Sequence, residues 1–156
     1  MRTWAPIGQT PVIVHRYAWP KLSAIGGVAS NGRIFLLVRH GTIATQQVIV
    51  FLRHLLRHIA GNVIVLFDNL NTHKSSPVKR FVAQHCQRLS IEYFPPYAPE
   101  LNPAEWLWRH LKRVELPNTA PKDVHDLRDN MRHAMVRVRK RPRLRRSFID
   151  ASELPF

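Results

Sequence analysis

Acidic residues are absent from the first 67 positions of this 156-residue chain, and all ten Asp and Glu residues come later. Against 24 Lys and Arg residues they leave a formal net charge of +14, with a pI near 11.4. Such an excess of positive charge predicts a polyanionic partner, most often nucleic acid. A basic structural protein would share this charge, so charge by itself does not identify the function.

Cysteine and long apolar runs are also scarce. Cys86 is the only cysteine, which excludes intrachain disulfides and zinc sites built from several thiolates. No apolar run approaches the ~20 residues that cross a membrane, and the N-terminal residues lack the apolar core of a signal peptide. We therefore expect a cytoplasmic protein with no membrane partner. The 45% hydrophobic content suits a folded chain of about one domain.

The spacing of apolar residues predicts strands and helices in alternation. A hairpin of two strands is expected over residues 21–28 and 33–39. The later elements are a helix over 45–60, a strand covered on both faces over 63–67, a helix from Ser76-Pro77, a strand over 90–94, a helix from Asn102-Pro103 and a helix over 122–140. This order predicts an α/β fold with a mixed sheet flanked by helices and a basic C-terminal helix.

Three of these helices are expected to bury one apolar face each. Their predicted inward residues are Val78, Phe81, Val82 and Cys86 in the first, Leu107, Leu111 and Val114 in the second, and Val124, Leu127, Met131, Ala134 or Met135, and Val138 in the last. Cys86 is expected in the core because free cysteines are usually buried.

Two carboxylates stand where a metal site can be built. Asp68 follows the apolar strand 63–67, and functional groups of open α/β sheets collect at the carboxyl ends of strands. Glu105 stands near a predicted helix start, behind the loop 95–103, which holds four prolines. Carboxylates on rigid neighbouring elements suit Mg²⁺, and two such ions can activate a nucleophile on a phosphodiester.

Each carboxylate also has a purely structural interpretation. Asp68 suits an Asx-type turn that leaves the strand. Asn102-x-x-Glu105 has the spacing of a capping box, in which Glu105 bonds back to the start of its helix. On the residues alone, both alternatives stay open.

Two segments carry a family resemblance that brings the carboxylates together. They read Val65-Leu66-Phe67-Asp68-Asn69-x-x-x-His73-Lys74-Ser75 and Pro95-Pro96-Tyr97-Ala98-Pro99-Glu100-Leu101-Asn102-Pro103-Ala104-Glu105-x-x-Trp108. The pair resembles the catalytic core of mariner-like bacterial insertion-sequence transposases, which carry a DDE triad on an RNase H-like fold. The 36 residues between Asp68 and Glu105 suit the second and third carboxylates of that family. Residues 2–115 take part in the resemblance, including Trp4-Ala5-Pro6.

The resemblance implies hydrolysis at transposon ends, followed by attack of the freed 3′-hydroxyl on target DNA. Asp68 and Glu105 would be catalytic ligands of Mg²⁺ or Mn²⁺, and Asn69 and His73 would shape the site. The implied partner is DNA, both transposon ends and target. A homodimer on that DNA, in the bacterial cytoplasm and on the nucleoid, is also implied.

One member of the family's triad has no counterpart here. The family's first Asp lies on a strand just before the Trp-Ala-Pro segment, and this chain starts at that segment. We therefore expect an N-terminally truncated core that lacks most of the first strand and is inactive alone: a second frame of a split element, a decayed copy or a misassigned start codon. Its unpaired sheet edges predict marginal stability or aggregation. The alternative function is a catalytically inactive DNA-binding remnant.

The chain is expected to divide into a partial catalytic core over 1–118 and a C-terminal helix with an Arg-rich tail over 119–156. Seven of the ten residues over 137–146 are basic, and phosphate contact that is largely independent of sequence is expected of them. The residues concerned are Arg137, Arg139, Lys140, Arg141, Arg143, Arg145 and Arg146.

Overall fold

The computed structural model describes residues 7–8, 22–117, 119 and 121–154. Its elements in chain order are β1 (Leu22–Val28), β2 (Ile34–His40), α1 (Thr45–His58), β3 (Val63–Phe67), α2 (Ser76–Gln84), β4 (Leu89–Tyr93), a 3₁₀ turn (Pro99–Leu101), α3 (Pro103–His110), a π-helical turn (Leu111–Glu115), α4 (Val124–Arg139) and α5 (Pro142–Asp150). Among the described residues, no helix is long and apolar enough to cross a membrane.

The four strands form two ladders of opposite kind. β1 and β2 make the predicted antiparallel hairpin, with Leu22 opposite His40 and Val28 opposite Ile34. The turn between them needs Gly32, whose φ of +77° favours glycine. β3 and β4 are parallel. Within the described ranges β1 and β3 are not hydrogen-bonded to each other, so each has one edge without a strand partner.

The predicted helix over 45–60 is confirmed as α1, which packs on one side of β1 and β3. Val48 and Leu52 are fully buried there, in a core that also holds Val63 and Phe67 of β3. Gly61, with φ +75°, follows the helix and reverses the chain into β3. Apolar residues three and four apart give this helix one continuous buried face.

The prediction that β3 is covered on both faces is wrong for the described structure. Val63, Val65 and Phe67 pack into the core, but Ile64 is 65% exposed and Leu66 38% exposed. Side chains alternate between the two faces of a strand, and the described helices that pack on β3 cover one face. The apolar run is therefore buried in alternation.

A second core joins β2 to the three C-terminal helices. Ile34, Leu107, Met135 and Phe148 meet in it. The stripe predicted along residues 122–140 is confirmed for Val124, Ala134, Met135 and Val138, which are buried on α4, whereas Leu127 and Met131 are half-buried. The Arg-rich segment is ordered helix, since α4 ends at Arg139 and α5 begins at Pro142 and buries Phe148 and Ile149.

Two predicted core residues lie outside the core. Val114 is 61% exposed because the helix after Leu107 widens into a π turn, in which the Leu116 amide bonds to the Leu111 carbonyl five residues back. That widening rotates Val114 out of the α-helical face. Cys86 is also exposed, because α2 ends at Gln84 and places the cysteine in the following turn.

Glu115 ties the C-terminal helices to the end of the π turn. Its side chain is only 4% exposed. It accepts hydrogen bonds from Arg137 Nε at 2.7 Å and Arg141 Nη1 at 3.4 Å, and His110 Nε2 lies 3.3 Å away. Burial by itself would raise the pKa of this carboxyl, but the Arg137 and His110 hydrogen bonds and the nearby arginine charges outweigh it, so the pKa is lowered.

We expect Glu115→Gln to lower the free energy of unfolding by about 2 kcal/mol at neutral pH, because the charge-assisted hydrogen bonds from the arginines are lost. The loss is limited because both arginine side chains are partly exposed and can be hydrated instead. A carboxyl whose pKa is lowered by folding stabilises the protein above its unfolded pKa. The contribution is lost as pH falls below the usual value of 4.5 and through the folded pKa. Urea unfolding at pH 7 and pH 3 measures it, and the gap between wild type and variant should shrink in acid.

Asp129→Asn is the control for this prediction, since Asp129 is exposed on the same helix, α4. It should change stability by less than about 0.5 kcal/mol at either pH. An equal loss of stability in both variants would show that Glu115 is not the residue that ties these helices together.

Candidate active site

An apolar cleft of about 540 Å³ separates β1 from β3. Residues 24–28 of β1 and all five residues of β3 line it, together with Phe51 and Leu55 of α1. Asp68 and Glu105 line the same cleft. The structure therefore brings together two carboxylates that are separated by 36 intervening residues in sequence.

Asp68 is held by His73, which is itself buried. The His73 Nδ1 lies 2.6 Å from the Asp68 Oδ1, and its ring stacks on Phe67 at 4.1 Å between centroids. This hydrogen bond is the largest influence on the Asp68 carboxyl and lowers its pKa, against a smaller opposing effect of burial. The Leu70 amide also donates to Oδ1, at a long 3.4 Å, which is the predicted Asx-type turn. Both contacts use Oδ1, so Oδ2 has no protein partner among the described residues.

Asn69 joins the loop after β3 to the end of β4. Its Nδ2 donates to the Phe94 carbonyl at 2.7 Å, and its Oδ1 accepts from Lys74 Nζ at 2.6 Å. Tyr93 adds a bond from its hydroxyl to the His73 carbonyl at 3.2 Å. These contacts hold the loop that carries Asp68 against the end of β4. They agree with a site-shaping role of Asn69 and His73, which stays a prediction.

Glu105 has no partner for its carboxylate in the part of the chain that the structure describes. Asn102 caps α3 through a hydrogen bond from the Ala104 amide at 3.0 Å. The Asn102 amide itself donates to the Pro99 carbonyl at 3.1 Å. Because that donor is already used, the capping box is not formed, and the exposed Glu105 carboxylate is available to a ligand.

The loop ahead of Glu105 is fixed at several points. It contains the 3₁₀ turn Pro99–Leu101, and Trp106 Nε1 donates to the Glu100 carbonyl at 3.1 Å. Tyr97 in this loop has a φ of +60° and a fully exposed side chain. The loop, Asp68 and Glu105 surround a second, smaller opening. Prolines restrict the backbone here, and Glu105, just after the loop, lines the same opening as Asp68.

Two further neighbours of the site, Trp108 and Lys74, stand in the segments that carry the family resemblance. Trp108 lies against Gly26 of β1, where an added Cβ would come within 2.9 Å of the indole. Lys74 reaches Asn69 and also lies over the Tyr93 ring at 5.0 Å. The spacing of Trp108 one turn beyond Glu105 hints at the first contact, but nothing in the sequence indicates that glycine must face it.

The oxygen ligands of this cleft suit a hard divalent cation. Mg²⁺ is commonly held by one or two carboxylates while water and phosphate oxygens fill its other positions. Asp68 and Glu105 meet that minimum, and the His73 contact that lowers the pKa of Asp68 stabilises its ionised form. Among the described residues, no group of three or more His, Cys, Asp or Glu side chains could hold a metal. The donors present fit one shared cation with open positions.

The predicted DNA-contacting residues lie apart from this cleft, and none of them lines it. Arg137 and Arg141 bind Glu115, and Arg146 pairs with Asp150 at 3.1 Å. Arg139 and Arg145 donate to the Ile34 and Gly32 carbonyls, both at 3.3 Å. The described structure gives no such contact for Lys140 or Arg143, which are exposed. Several of these cations therefore also hold the fold together.

A family model described as DDE superfamily endonuclease matches residues 1–128. The chain belongs to this family. Within it, the two carboxylates that share the cleft are the natural candidates for two of the acidic positions. The prediction of a DDE-family core, made from the motifs around Asp68 and Glu105, is confirmed at the level of the family.

Solved structures of similar fold come from a mariner transposase. The Mos1 transposase paired-end complex with left transposon end is 17% identical, with a TM-score of 0.70 over 97% of this DDE-family chain and 47% of that chain. The catalytic domain of Mos1 mariner transposase is 16% identical, with a TM-score of 0.60 over 91% and 79%. These likenesses confirm the predicted α/β fold. The chain spans less than half of the transposase in the complex, and no curated protein matches it.

Proposed function

We propose that this chain is the catalytic core of a DDE transposase that cleaves and joins DNA strands with Mg²⁺ or Mn²⁺. The observation that carries the proposal is the shared cleft of Asp68 and Glu105, two carboxylates on adjacent elements of a DDE-family chain. The Mos1 complex contains a transposon end, and by analogy the proposed partner is transposon and target DNA. A homodimer on the DNA, within the cytoplasm and nucleoid, belongs to the same proposal.

The chain's own residues would divide the work at the scissile phosphate. Asp68 and Glu105 would hold the divalent cation, which supplies Lewis-acid polarisation of the phosphate and of the attacking hydroxyl. His73 would keep Asp68 ionised and fixed, since its Nδ1 occupies Oδ1 and leaves Oδ2 free. Asn69 would hold the Asp68 loop against β4, where the rigid loop to Glu105 begins.

We further propose that the site is incomplete without a third carboxylate, carried on a β-strand between β1 and β3. Within the described residues, both strands turn an edge without a strand partner toward the cleft, and such an edge of N–H and C=O groups pairs readily with an added strand. A carboxylate at the end of that strand would join Asp68, which leaves the neighbouring strand β3. The first 67 residues contain no Asp or Glu, so none of them supplies this carboxylate.

Plasmid nicking tests the proposal. The purified chain, incubated with supercoiled plasmid and Mg²⁺ or Mn²⁺, is expected to nick no faster than Asp68→Ala or Glu105→Ala. Metal-dependent nicking by wild type that disappears in Asp68→Ala would contradict the proposed incompleteness while supporting the assignment of Asp68. Binding of a short duplex in the same preparation verifies that the protein is competent to meet its substrate.

The second candidate function is DNA binding without catalysis. It is favoured by the +14 charge together with a cleft that holds only two carboxylates. Under this alternative, DNA affinity survives Asp68→Ala and Glu105→Ala and falls steeply with salt. No added carboxylate would then produce cleavage, and this outcome separates the two functions.

A further inference from the structure

Four arginines and two histidines from three parts of the chain gather at the end of the sheet away from the carboxylates. We call them the basic face: Arg33, His54, Arg57, His58, Arg139 and Arg145. Arg33 follows the β1–β2 turn, the next three lie on α1, and the last two belong to α4 and α5. The sequence-based prediction placed DNA contacts only over 137–146, so α1 and the hairpin turn are additions to it.

Direct contacts hold the basic face together. Arg33 Nη1 donates to the His58 carbonyl at 3.1 Å, and its guanidinium lies over the Phe35 ring at 5.2 Å. His54 meets the same ring edge-on at 5.9 Å and stacks near His58 at 4.2 Å. Arg145 lies against Gly32 in the hairpin turn, 3.5 Å from the position a Cβ would take.

The C-terminal helices contribute to this surface through Arg139 and Arg145, which donate to the Ile34 and Gly32 carbonyls. Burial is the largest influence that lowers the pKa of His54, and the positive charges of Arg57 and Arg139 add to it. Within the described ranges, no carboxylate forms an ion pair with any member of the basic face. The Arg145 Nε is buried there without any acceptor. The face is thus a set of neighbouring basic side chains whose described acceptors are backbone carbonyls rather than carboxylates.

Helix capping explains only part of this arrangement. Cations near the last turn of a helix are favoured by its dipole, and Arg33 and Arg88 do donate to carbonyls at the end of α1. Arg57 is exposed, and the described structure gives its side chain no hydrogen bond or ion pair. Arg139 comes from a different helix and caps nothing on α1. Arg57 is therefore free to meet an external anion, and Arg139 has no carboxylate partner among the described residues, since its described contact is to the Ile34 carbonyl at 3.3 Å.

We propose that the basic face binds the phosphate backbone of duplex DNA at a place distinct from the cleft. The partner follows from the proposed function, and the surface follows from the contacts above. Arg33 meets the last residue of α1, just before the chain enters β3, whereas Asp68 leaves β3 at its other end. Five strand residues span about 17 Å, so the bound backbone lies roughly five base pairs from the carboxylates.

A salt titration of DNA binding tests this surface. The probe is a fluorescein-labelled 30-base-pair duplex of arbitrary sequence, followed by anisotropy from 50 to 200 mM NaCl in EDTA. Each phosphate contact contributes about 0.9 to the slope of log affinity against log salt. Arg57→Gln combined with Arg139→Gln should therefore reduce the slope by about 1.8, which makes the loss of affinity over this range roughly twelvefold smaller. Arg57→Gln alone should reduce the slope by about 0.9.

The matched control is Lys79→Gln with Arg80→Gln, which removes two charges from exposed positions on α2. It should leave the slope unchanged. An equal fall in the control, or an unchanged slope in both basic-face variants, would overturn the proposal. If melting shows that the double variant is unfolded, Arg57→Gln alone decides. Because EDTA removes the metal, the outcome is independent of whether Asp68 and Glu105 support cleavage.

Discussion

Fusing a carboxylate-bearing β-strand to the N-terminus of this chain is expected to create Mg²⁺-dependent DNA nicking. The cleft between β1 and β3 is bordered by two strands whose facing edges have no strand partner in the described structure. A strand placed there would bring its carboxylate to Asp68 and Glu105. A bound cation can stabilise a phosphoryl transition state by several kcal/mol, so nicking should rise roughly hundredfold or more above the unfused chain.

Three controls make this prediction specific. The same fusion with Asn in place of the added Asp should remain inactive, although the cleft is equally filled. The active fusion should lose nicking again on Asp68→Ala and on Glu105→Ala. If none of these three changes reduces nicking, the chemistry lies elsewhere on the chain or in a contaminant.

The second large effect concerns self-association. Ile64 and Leu66 are exposed on β3, next to a strand edge that faces the cleft, and exposed apolar edges pair with other chains. We expect wild type to associate as its concentration rises, and Ile64→Lys to stay monomeric over the same range because a charge on an edge strand opposes pairing. Light scattering coupled to size exclusion measures the mass of each species.

Val50→Lys is the matched control for association, because Val50 is an exposed apolar residue on α1 rather than on a strand. It should associate like wild type. A wild-type chain that is monodisperse and melts cooperatively at all concentrations would contradict the prediction that its sheet edges cause self-association.

Local patterns were enough to predict most elements. The α1 face, the α4 stripe and the hairpin around Gly32 all follow from the spacing of apolar residues and turn residues. The carboxylate pair was also predictable, because Asp68 ends a strand and the Pro-rich loop fixes Glu105. What joined them was the family pattern, since no local rule brings together side chains that lie 37 positions apart.

The misses share a cause in geometry beyond local spacing. Val114 is exposed because a π turn interrupts the helical period, and Cys86 because α2 stops two residues before it. Ile64 is exposed because the described helices cover one face of β3. The ties of Arg137 and Arg141 to Glu115 span 22 and 26 positions, and such partners are chosen by packing that no run of sequence specifies.

The central claim is that Asp68 and Glu105 share one divalent cation, and a Mn²⁺ titration followed by electron paramagnetic resonance tests it most directly. Wild type should bind Mn²⁺ in the cleft, and Asp68→Asn and Glu105→Gln should each weaken that binding by at least about tenfold. Glu100→Gln, which changes a nearby exposed carboxylate on the same loop, should have no effect. Equal Mn²⁺ affinity in wild type, Asp68→Asn and Glu105→Gln would contradict the account.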